Sequence, residues 1–227
     1  MLKRIAVCLI ASLCLLVSTH ASELEGDQLY RVSTVRAAPG FLPELLERIG
    51  SRKVSPLAPL VMRHSQGDQW DLMIIEAISA SEAMNASFPA ESDAFIAFEE
   101  DHFAYGPSSE AVSAAYNDNG FYHIEMFEAV AGKTDDLLDQ RRMENAYLSA
   151  TGQKPNMIFR RAAGSDVDVF TIGFHKDLEA FAAPSDVSDD DKEAAAKAAG
   201  FKARSDISFY LRSLISGHHD TLAVKVN

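Results

Sequence analysis

The feature of this 227-residue sequence that most limits its fold is an internal repeat, because a repeat constrains the architecture before any single motif does. Residues 29–37 (LYRVSTVRA) are echoed 92 positions later by residues 121–129 (FYHIEMFEA). A second echo, displaced by 97 positions, repeats an arginine, a glycine turn and an aspartate at the same spacing. Its members are Arg63, Gly67 and Asp71 in the first copy, and Arg160, Gly164 and Asp168 in the second. We therefore expect two similar units in one chain.

Each copy contains the patterns of a strand, a helix and a hairpin. Residues of alternating character after position 28 have the period of two that is typical of a strand. In the second copy Thr134 is expected to begin a helix with an acidic first turn, and Gly152 to end it. The predicted strands are 29–37, 57–63 and 70–78 in the first copy, and 121–129, 157–161, 168–175 and 221–226 in the second. Helices are predicted from 42 and 134, and over 189–199 and 204–215.

The fourth strand of the first copy is the weakest part of the repeat. Residues 94–103 and 109–115 are expected to be helical, and no strand is visible between Tyr116 and Gly120, so this strand is expected to be very short or absent. On a helix, Glu99 and His102 would have the spacing of one half of a carboxylate-bridged di-iron site. No second Glu-x-x-His occurs in the sequence, whereas such a site needs two.

A βαββαβ order that recurs about every 95 residues is the ferredoxin-like pattern. Over residues 29–226 the chain resembles the dimeric α+β-barrel proteins, such as antibiotic-biosynthesis-type monooxygenases, NIPSNAP-like proteins and stress-responsive barrel domains. The resemblance implies an α+β fold in which two tandem ferredoxin-like units pack their sheets face to face as a barrel, with helices outside. Because this superfold hosts oxygenases, haem enzymes, isomerases and plain binding proteins, it does not define the chemistry.

The N-terminus has the pattern of an export signal. Lys3 and Arg4 precede an apolar run, and small residues lie at the −3 and −1 positions before Ser22. We expect a signal peptide over 1–21, a flexible lead-in over 22–28, a first unit over 29–118 and a second over 119–227. The mature protein is then periplasmic or secreted. A retained N-terminal anchor is the alternative.

Composition excludes several classes of function. Both cysteines, Cys8 and Cys14, lie in the predicted signal, which excludes disulfides and thiolate sites from the mature chain. That chain has 19 basic and 33 acidic residues, a net charge of −14, which argues against nucleic acid and anionic membrane surfaces as partners. No second long apolar run follows, so no stable membrane insertion is expected after cleavage. The sequence leaves the oligomeric state open.

The two faces of the first strand in each copy carry different chemistry. The apolar faces, with Tyr30 and Tyr122, are expected to pack against helices, and the opposite faces to point into the space between the sheets. There His123 and Glu125 project side by side, so that the carboxylate could orient the imidazole for proton transfer. In an enzyme, His123 would be base or ligand, Glu125 would orient it, and Arg31 would stabilise developing negative charge. A solvated face or a satisfied buried pair is the alternative.

Two further groups have chemical and structural interpretations. His218 and His219 suit a transition metal, but neighbours on a strand point to opposite faces, so His123, His175 or another distant ligand would have to complete the site. A turn with exposed histidines is the alternative. The repeated arginine could clamp an anion, but in each hairpin it is expected to pair with the aspartate eight residues later.

The sequence thus predicts an exported α+β-barrel protein that binds a small apolar or amphipathic ligand between its two sheets. The alternative is an enzyme that uses His123 and Glu125, as a cofactor-independent monooxygenase or a haem-linked oxidoreductase. No cofactor is expected for the first function, and haem is the candidate for the last.

Overall fold

The computed structural model describes residues 23–50, 59–66, 68–85 and 94–226. The predicted signal peptide and the turn residue Gly67 lie outside this part. Within it the strands are β1 (Gln28–Ala37), β2 (Leu60–Gln66), β3 (Leu72–Ala77), β4 (Ile96–Gly106), β5 (Phe121–Ala129), β6 (Met157–Ala163), β7 (Val169–His175) and β8 (Ile215–Lys225). The helices are α1 (Leu42–Gly50), α2 (Ala80–Asn85), α3 (Ser109–Asp118), α4 (Thr134–Ala150), α5 (Leu178–Ala182), α6 (Asp189–Ala198) and α7 (Asp206–Leu214).

The eight described strands form a closed antiparallel barrel in the order β1-β3-β2-β8-β5-β7-β6-β4. Each unit supplies four neighbouring strands, β4-β1-β3-β2 and β8-β5-β7-β6, which is the ferredoxin-like order in both cases. Hydrogen bonds join the two sheets at both edges, β2 to β8 and β4 to β6. The predicted α+β barrel of two tandem units is confirmed.

The repeated aspartate has the same structural role in both units. Asp71 accepts a hydrogen bond from the Ala37 backbone N–H at 2.8 Å, and Asp168 accepts one from the Ala129 N–H, also at 2.8 Å. Ala37 and Ala129 end the first strand of their units. In each unit the aspartate therefore ties the start of the hairpin's second strand to the end of the first strand.

The predicted arginine–aspartate pairs within the hairpins are wrong. Arg160 lies opposite Val169, so Arg161 is the residue that pairs with Asp168, at 2.6 Å. Arg63 likewise lies opposite Leu72 rather than Asp71, and no ion pair joins Arg63 to Asp71 in the described structure. The alternation of side chains across a strand explains both differences.

The predicted orientation of the strand faces is also wrong. A single apolar cluster contains buried side chains from all eight strands, an arrangement that is possible only inside the barrel. Tyr30 and Tyr122, expected against helices, belong to this interior cluster and are 1% and 0% exposed. Each large side chain buried in this way contributes about 1.5–3 kcal/mol of hydrophobic stabilisation. The opposite strand faces, with Arg31, His123 and Glu125, therefore lie on the outside of the barrel.

Helices cover this outer surface in both units, as predicted. In the first unit, Val35 packs with Leu45 and other residues of α1, and in the second, Phe127 packs with α4 and α7. Helix α3 differs, because its Val112 and Tyr116 join the interior cluster. The Tyr116 ring stacks on Tyr122 with centroids 5.5 Å apart. Helix α3 therefore closes one end of the barrel.

The fourth strand of the first unit exists, contrary to expectation. Residues 96–106 form β4, where a helix was predicted over 94–103, and β4 pairs with β1 and β6. Glu99 and His102 consequently lie on opposite faces of a strand, which removes the half of a di-iron site. Strand β8 begins at Ile215 rather than Thr221, so His218 and His219 lie within a strand and not in a turn.

The segment before β1 contacts the second unit through two acidic side chains. Glu25 forms two bonds to the Arg142 guanidinium, at 2.6 and 2.8 Å, and Asp27 pairs with Arg160 at 2.7 Å. Leu24 packs against the interior cluster. Among the described helices, none has the length and apolar character needed to cross a bilayer.

Candidate functional site

Four ionisable side chains meet on the outer face of the second unit. Glu125 on β5 lies directly opposite Asp220 on β8, and Phe127 lies opposite His218. His123 is two residues before Glu125, so it projects on the same side. The antiparallel register of β5 and β8 therefore brings together residues that are about 95 positions apart in the sequence.

The closest contact in this group is between an imidazole and a carboxylate. His123 Nε2 lies 2.7 Å from Asp220 Oδ1. Glu125 Oε2 accepts a hydrogen bond from Thr171 Oγ1 at 3.3 Å and lies 3.4 Å from Arg141 Nη1. The predicted neighbours His123 and Glu125 thus each have a partner that sequence reasoning did not assign to them.

Arg141 on α4 supplies the positive charge of the site. Its side chain is 2% exposed, its guanidinium lies 4.7 Å from the centre of the Phe127 ring, and it also bonds to the Glu144 carboxylate. The sequence contains a signal for this burial. Arg141 follows Leu137 and Leu138 by four and three residues, the helical spacing that places an arginine on a buried face.

The two carboxyl groups beside Arg141 have opposite pKa shifts. Burial alone would raise the pKa of Glu125, but His218, Arg141 and His123 outweigh burial and hold that pKa below its usual value. Burial raises the pKa of Glu144, the negative charge of Glu125 raises it further, and Arg141 offsets only part of the rise. The site therefore holds two neighbouring carboxyl groups whose pKa values are shifted in opposite directions.

A pocket of about 520 Å³ opens beside these groups and is lined by His123, Glu125, Glu144, His175 and Phe181, among others. The Phe181 ring lies 5.1 Å from the His123 ring and 5.2 Å from the His175 ring. Burial, together with the neighbouring His123 and Lys154, lowers the pKa of His175. The pocket combines an aromatic wall with acid, base and cationic groups.

Comparison with solved structures identifies the fold. An anthrone oxidase-like protein matches with a TM-score of 0.58 at 12% identity, over 91% of this chain and 94% of that one. A candidate chlorite dismutase matches with a TM-score of 0.51 at 8% identity, over 88% and 96%. The chain has an α+β-barrel fold, closed here by the strands of a single chain. A candidate monooxygenase from Lactobacillus acidophilus has the same fold, with a TM-score of 0.50 at 7% identity over 88% and 95%.

Sequence comparison does not assign this α+β barrel to a protein family. No protein-family model matches the chain, and no curated protein matches it. At such low identities the structural matches establish the fold alone. The chemistry must be argued from the side chains of this barrel.

The structure does not bring Arg31 to the predicted pair. Strand β1 is separated from β5 by three strands in either direction around the barrel, so Arg31 lies on the opposite side. There its guanidinium is hydrogen-bonded to Asp101, which also accepts a hydrogen bond from Ser33. Arg31 therefore cannot stabilise charge at His123, and Arg141 occupies the position expected of it.

The predicted metal pair is separated by the alternation of β8. His218 faces the site, with Nε2 3.6 Å from Glu125 Oε1, whereas His219 Nδ1 lies 3.8 Å from Asp68 Oδ2, on the other side of the strand. A different group can hold a metal ion. His123, Glu125 and Asp220 each offer a ligand atom, and these atoms lie within 4.8 Å of one another.

The residues of this pocket do not fit haem, the cofactor that the resemblance made an alternative. The Nε2 atom of His123, the usual iron ligand, is occupied by Asp220. Glu125 and Glu144 also line the pocket. A porphyrin needs a broad apolar slot, and charged carboxylates against its face would be costly to desolvate.

Proposed function

We propose that this protein is an enzyme that removes a proton from a small hydroxylated aromatic molecule bound in the outer pocket of the second unit. The observation that carries the proposal is the His123–Asp220 contact of 2.7 Å at the wall of that pocket. A carboxylate can only accept a hydrogen bond, so Nε2 carries the proton and the lone pair is left on Nδ1. Asp220 thereby orients His123 as a general base and stabilises the imidazolium that forms.

The lining of the pocket supports an aromatic substrate. A volume of about 520 Å³ lies within the range of roughly 300–1,000 Å³ that is usual for small-molecule sites. Phe181 offers a ring for stacking beside His123. Lys154 and Lys176 also line the pocket and would stabilise the anion left after the proton is removed. The similarity in fold to proteins described as anthrone oxidase-like and as a monooxygenase is in keeping with such a substrate.

Hydrogen–deuterium exchange tests this function without knowledge of the complete reaction. A panel of anthrones, naphthols and hydroxylated aryl ketones in D₂O would be followed by ¹H NMR, with and without the protein. We expect accelerated exchange for at least one compound, and a loss of about 10²–10⁴-fold in His123→Gln. His219→Gln is the matched control, because it changes the same residue type on the other face of β8. No acceleration across the panel, or full activity of His123→Gln, would overturn the proposal.

A divalent-metal centre is the second candidate, and the proximity of His123, Glu125 and Asp220 favours it. One imidazole and two carboxylates suit a first-row transition metal. Titration with Co²⁺ would then produce a saturable visible absorption band that is lost in His123→Gln and retained in His219→Gln. Without such a band the metal candidate fails, while the exchange experiment still tests proton transfer.

We also propose that the protein is exported, on the basis of the basic and apolar N-terminal residues. Mass spectrometry of the protein from cell fractions tests this. The expected product begins at Ser22 and lies outside the cytoplasm, and a full-length cytoplasmic product would contradict it.

A further inference from the structure

A second pocket lies where the two units meet at the end of the barrel opposite α3. Tyr122 of β5 contacts α3, and Met126, four residues further along the strand, lines this pocket of about 170 Å³. We call it the mouth pocket. The first unit contributes Trp70, Phe98 and His102 to its wall, and the second contributes Met126, Val167 and His219.

Two buried side chains of the mouth pocket have polar atoms without a partner. Trp70 is 4% exposed and His102 is 5% exposed. Neither Trp70 Nε1 nor His102 Nε2 has a hydrogen-bond partner among the described residues. An unsatisfied buried polar atom costs about 1–3 kcal/mol, so a ligand that supplies these bonds would recover that energy.

The rim of the mouth pocket is acidic. Its carboxylates are Asp68, Glu100, Glu128 and Asp166, and no lysine or arginine is among its described lining residues. Glu100 and Asp166 are exposed, and neither forms an ion pair within the described structure. Two guanidinium groups also reach lining residues, Arg36 at the Gln69 carbonyl and Arg161 at the Ser165 carbonyl. The four carboxylates outnumber them, so the rim attracts cations and repels anions.

We propose that the mouth pocket binds a small organic ammonium ion that carries a hydroxyl group. The aromatic ring of Trp70 attracts an alkylated cation, as aromatic faces in other cation sites do. A hydroxyl oxygen can accept a hydrogen bond from the Trp70 N–H and donate one to an unprotonated His102 Nε2. A carboxylate would satisfy the indole but would be repelled by the rim.

The size of the pocket and the state of His102 restrict the ligand further. At about 170 Å³ the pocket is smaller than the roughly 300–1,000 Å³ that is usual for drug-sized ligands, so only a molecule of a few heavy atoms enters. Burial lowers the pKa of His102 to about 4, which leaves its ring uncharged at neutral pH. The imidazole then offers an acceptor and does not repel the cation.

Fluorescence titration tests the proposal directly, because Trp70 is the only tryptophan in the sequence. The full chain would be titrated with choline, with its neutral isostere 3,3-dimethylbutan-1-ol, and with glycine betaine, in which a carboxylate replaces the hydroxymethyl group. We expect saturable quenching or a spectral shift with choline, at least tenfold weaker binding of the other two compounds, and weaker choline binding at high salt.

Two exposed rim carboxylates provide variants that are expected to fold. Glu100→Gln/Asp166→Asn should weaken choline binding at least fivefold, whereas the matched control Asp190→Asn, on α6, should leave it unchanged. Trp70→Phe, followed by calorimetry, should weaken it as well, since an aromatic ring is kept and the indole N–H is lost. The absence of a saturable response to choline, equal binding of the neutral isostere, or an unaffected rim variant would each overturn the proposal. The outcome does not depend on proton transfer at His123.

Discussion

The two units share a scaffold and differ in the contacts of one aspartate that occupies the same position in both. On the last strand of each unit an aspartate lies opposite the first strand: Asp101 opposite Ser33, and Asp220 opposite Glu125. Asp101 is 3% exposed and is bonded to Arg31 and Ser33. Asp220 is 54% exposed and is bonded to His123 beside a pocket. In the first unit this aspartate is therefore buried in contacts with neighbouring side chains. In the second unit it is exposed and orients an imidazole.

The two units also differ in which element supplies the positively charged side chain. In the first unit the arginine comes from the strand itself, and its partner carboxylate is fully occupied. In the second unit the strand carries His123, and the guanidinium comes from Arg141 on a covering helix. The two units thus share a structural frame, and in the second a pocket lies beside this position.

The largest predicted effect concerns the two arginines. Arg141→Met leaves Glu125 and Glu144 close together without a counter-charge, and removing one partner of a buried ion pair costs about 3–5 kcal/mol. Arg31→Met should cost less, because one carboxylate loses its counter-charge rather than two and Ser33 still bonds to Asp101. Urea unfolding at neutral pH measures both. An equal or larger loss for Arg31→Met would contradict the contrast between the units.

The second prediction concerns the inward residues beside these aspartates, His102 in the first unit and Thr221 in the second. The pKa of His102 is lowered from 6.5 to about 4 by burial. The unfolded chain takes up this proton below pH 6.5 and the folded protein only below about 4, so stability is lost as the pH falls through that interval.

The substitution His102→Thr gives the first unit the residue of the second. It should reduce the loss of folding stability at low pH by about 3 kcal/mol. Denaturant unfolding of both proteins at pH 7 and pH 4 gives the difference. An unchanged pH dependence in the variant would show that His102 does not resist protonation.

The smallest predicted effect concerns the repeated aspartate that bonds to the end of the first strand in both units. Asp71→Ala and Asp168→Ala each remove a bond from a carboxylate to a backbone N–H, a loss of about 1.5–3 kcal/mol. Asp168→Ala should be slightly more damaging, because Arg161 also loses its partner. Thermal unfolding checks both variants. A loss of stability in only one of the two variants would mean that the aspartate does not have the same structural role in both units.

Particular residues show how far the sequence predicts this structure. The repeat predicted the order of elements and the barrel, because apolar periodicity and turn glycines are local signals. It did not predict which strand face points inward. A period of two reveals two faces, and only closure of the barrel decides that Tyr30 and Tyr122 fill the interior.

Two other features depended on contacts between distant residues. Residues 96–106 contain the acidic run Glu99–Asp101, which does not favour a strand locally, and their pairing with β1 and β6 overrides this preference. The His123–Asp220 contact needs the register of β5 and β8, which no local pattern specifies. The candidate residues could thus be found in the sequence, but not their partners.

Exchanging the outer surfaces of the two units tests the central claim most directly. The variant His123→Arg/Glu125→Ser gives the second unit the residues of the first, and Arg31→His/Ser33→Glu does the reverse. Rates of substrate hydrogen–deuterium exchange would be measured for both, with circular dichroism to verify folding. We predict that the first variant folds and loses exchange, whereas the second retains it. Retained exchange in the first variant would contradict the assignment of the reactive site to the second unit. Loss of exchange in the second variant alone, when that variant is folded, would contradict it as well.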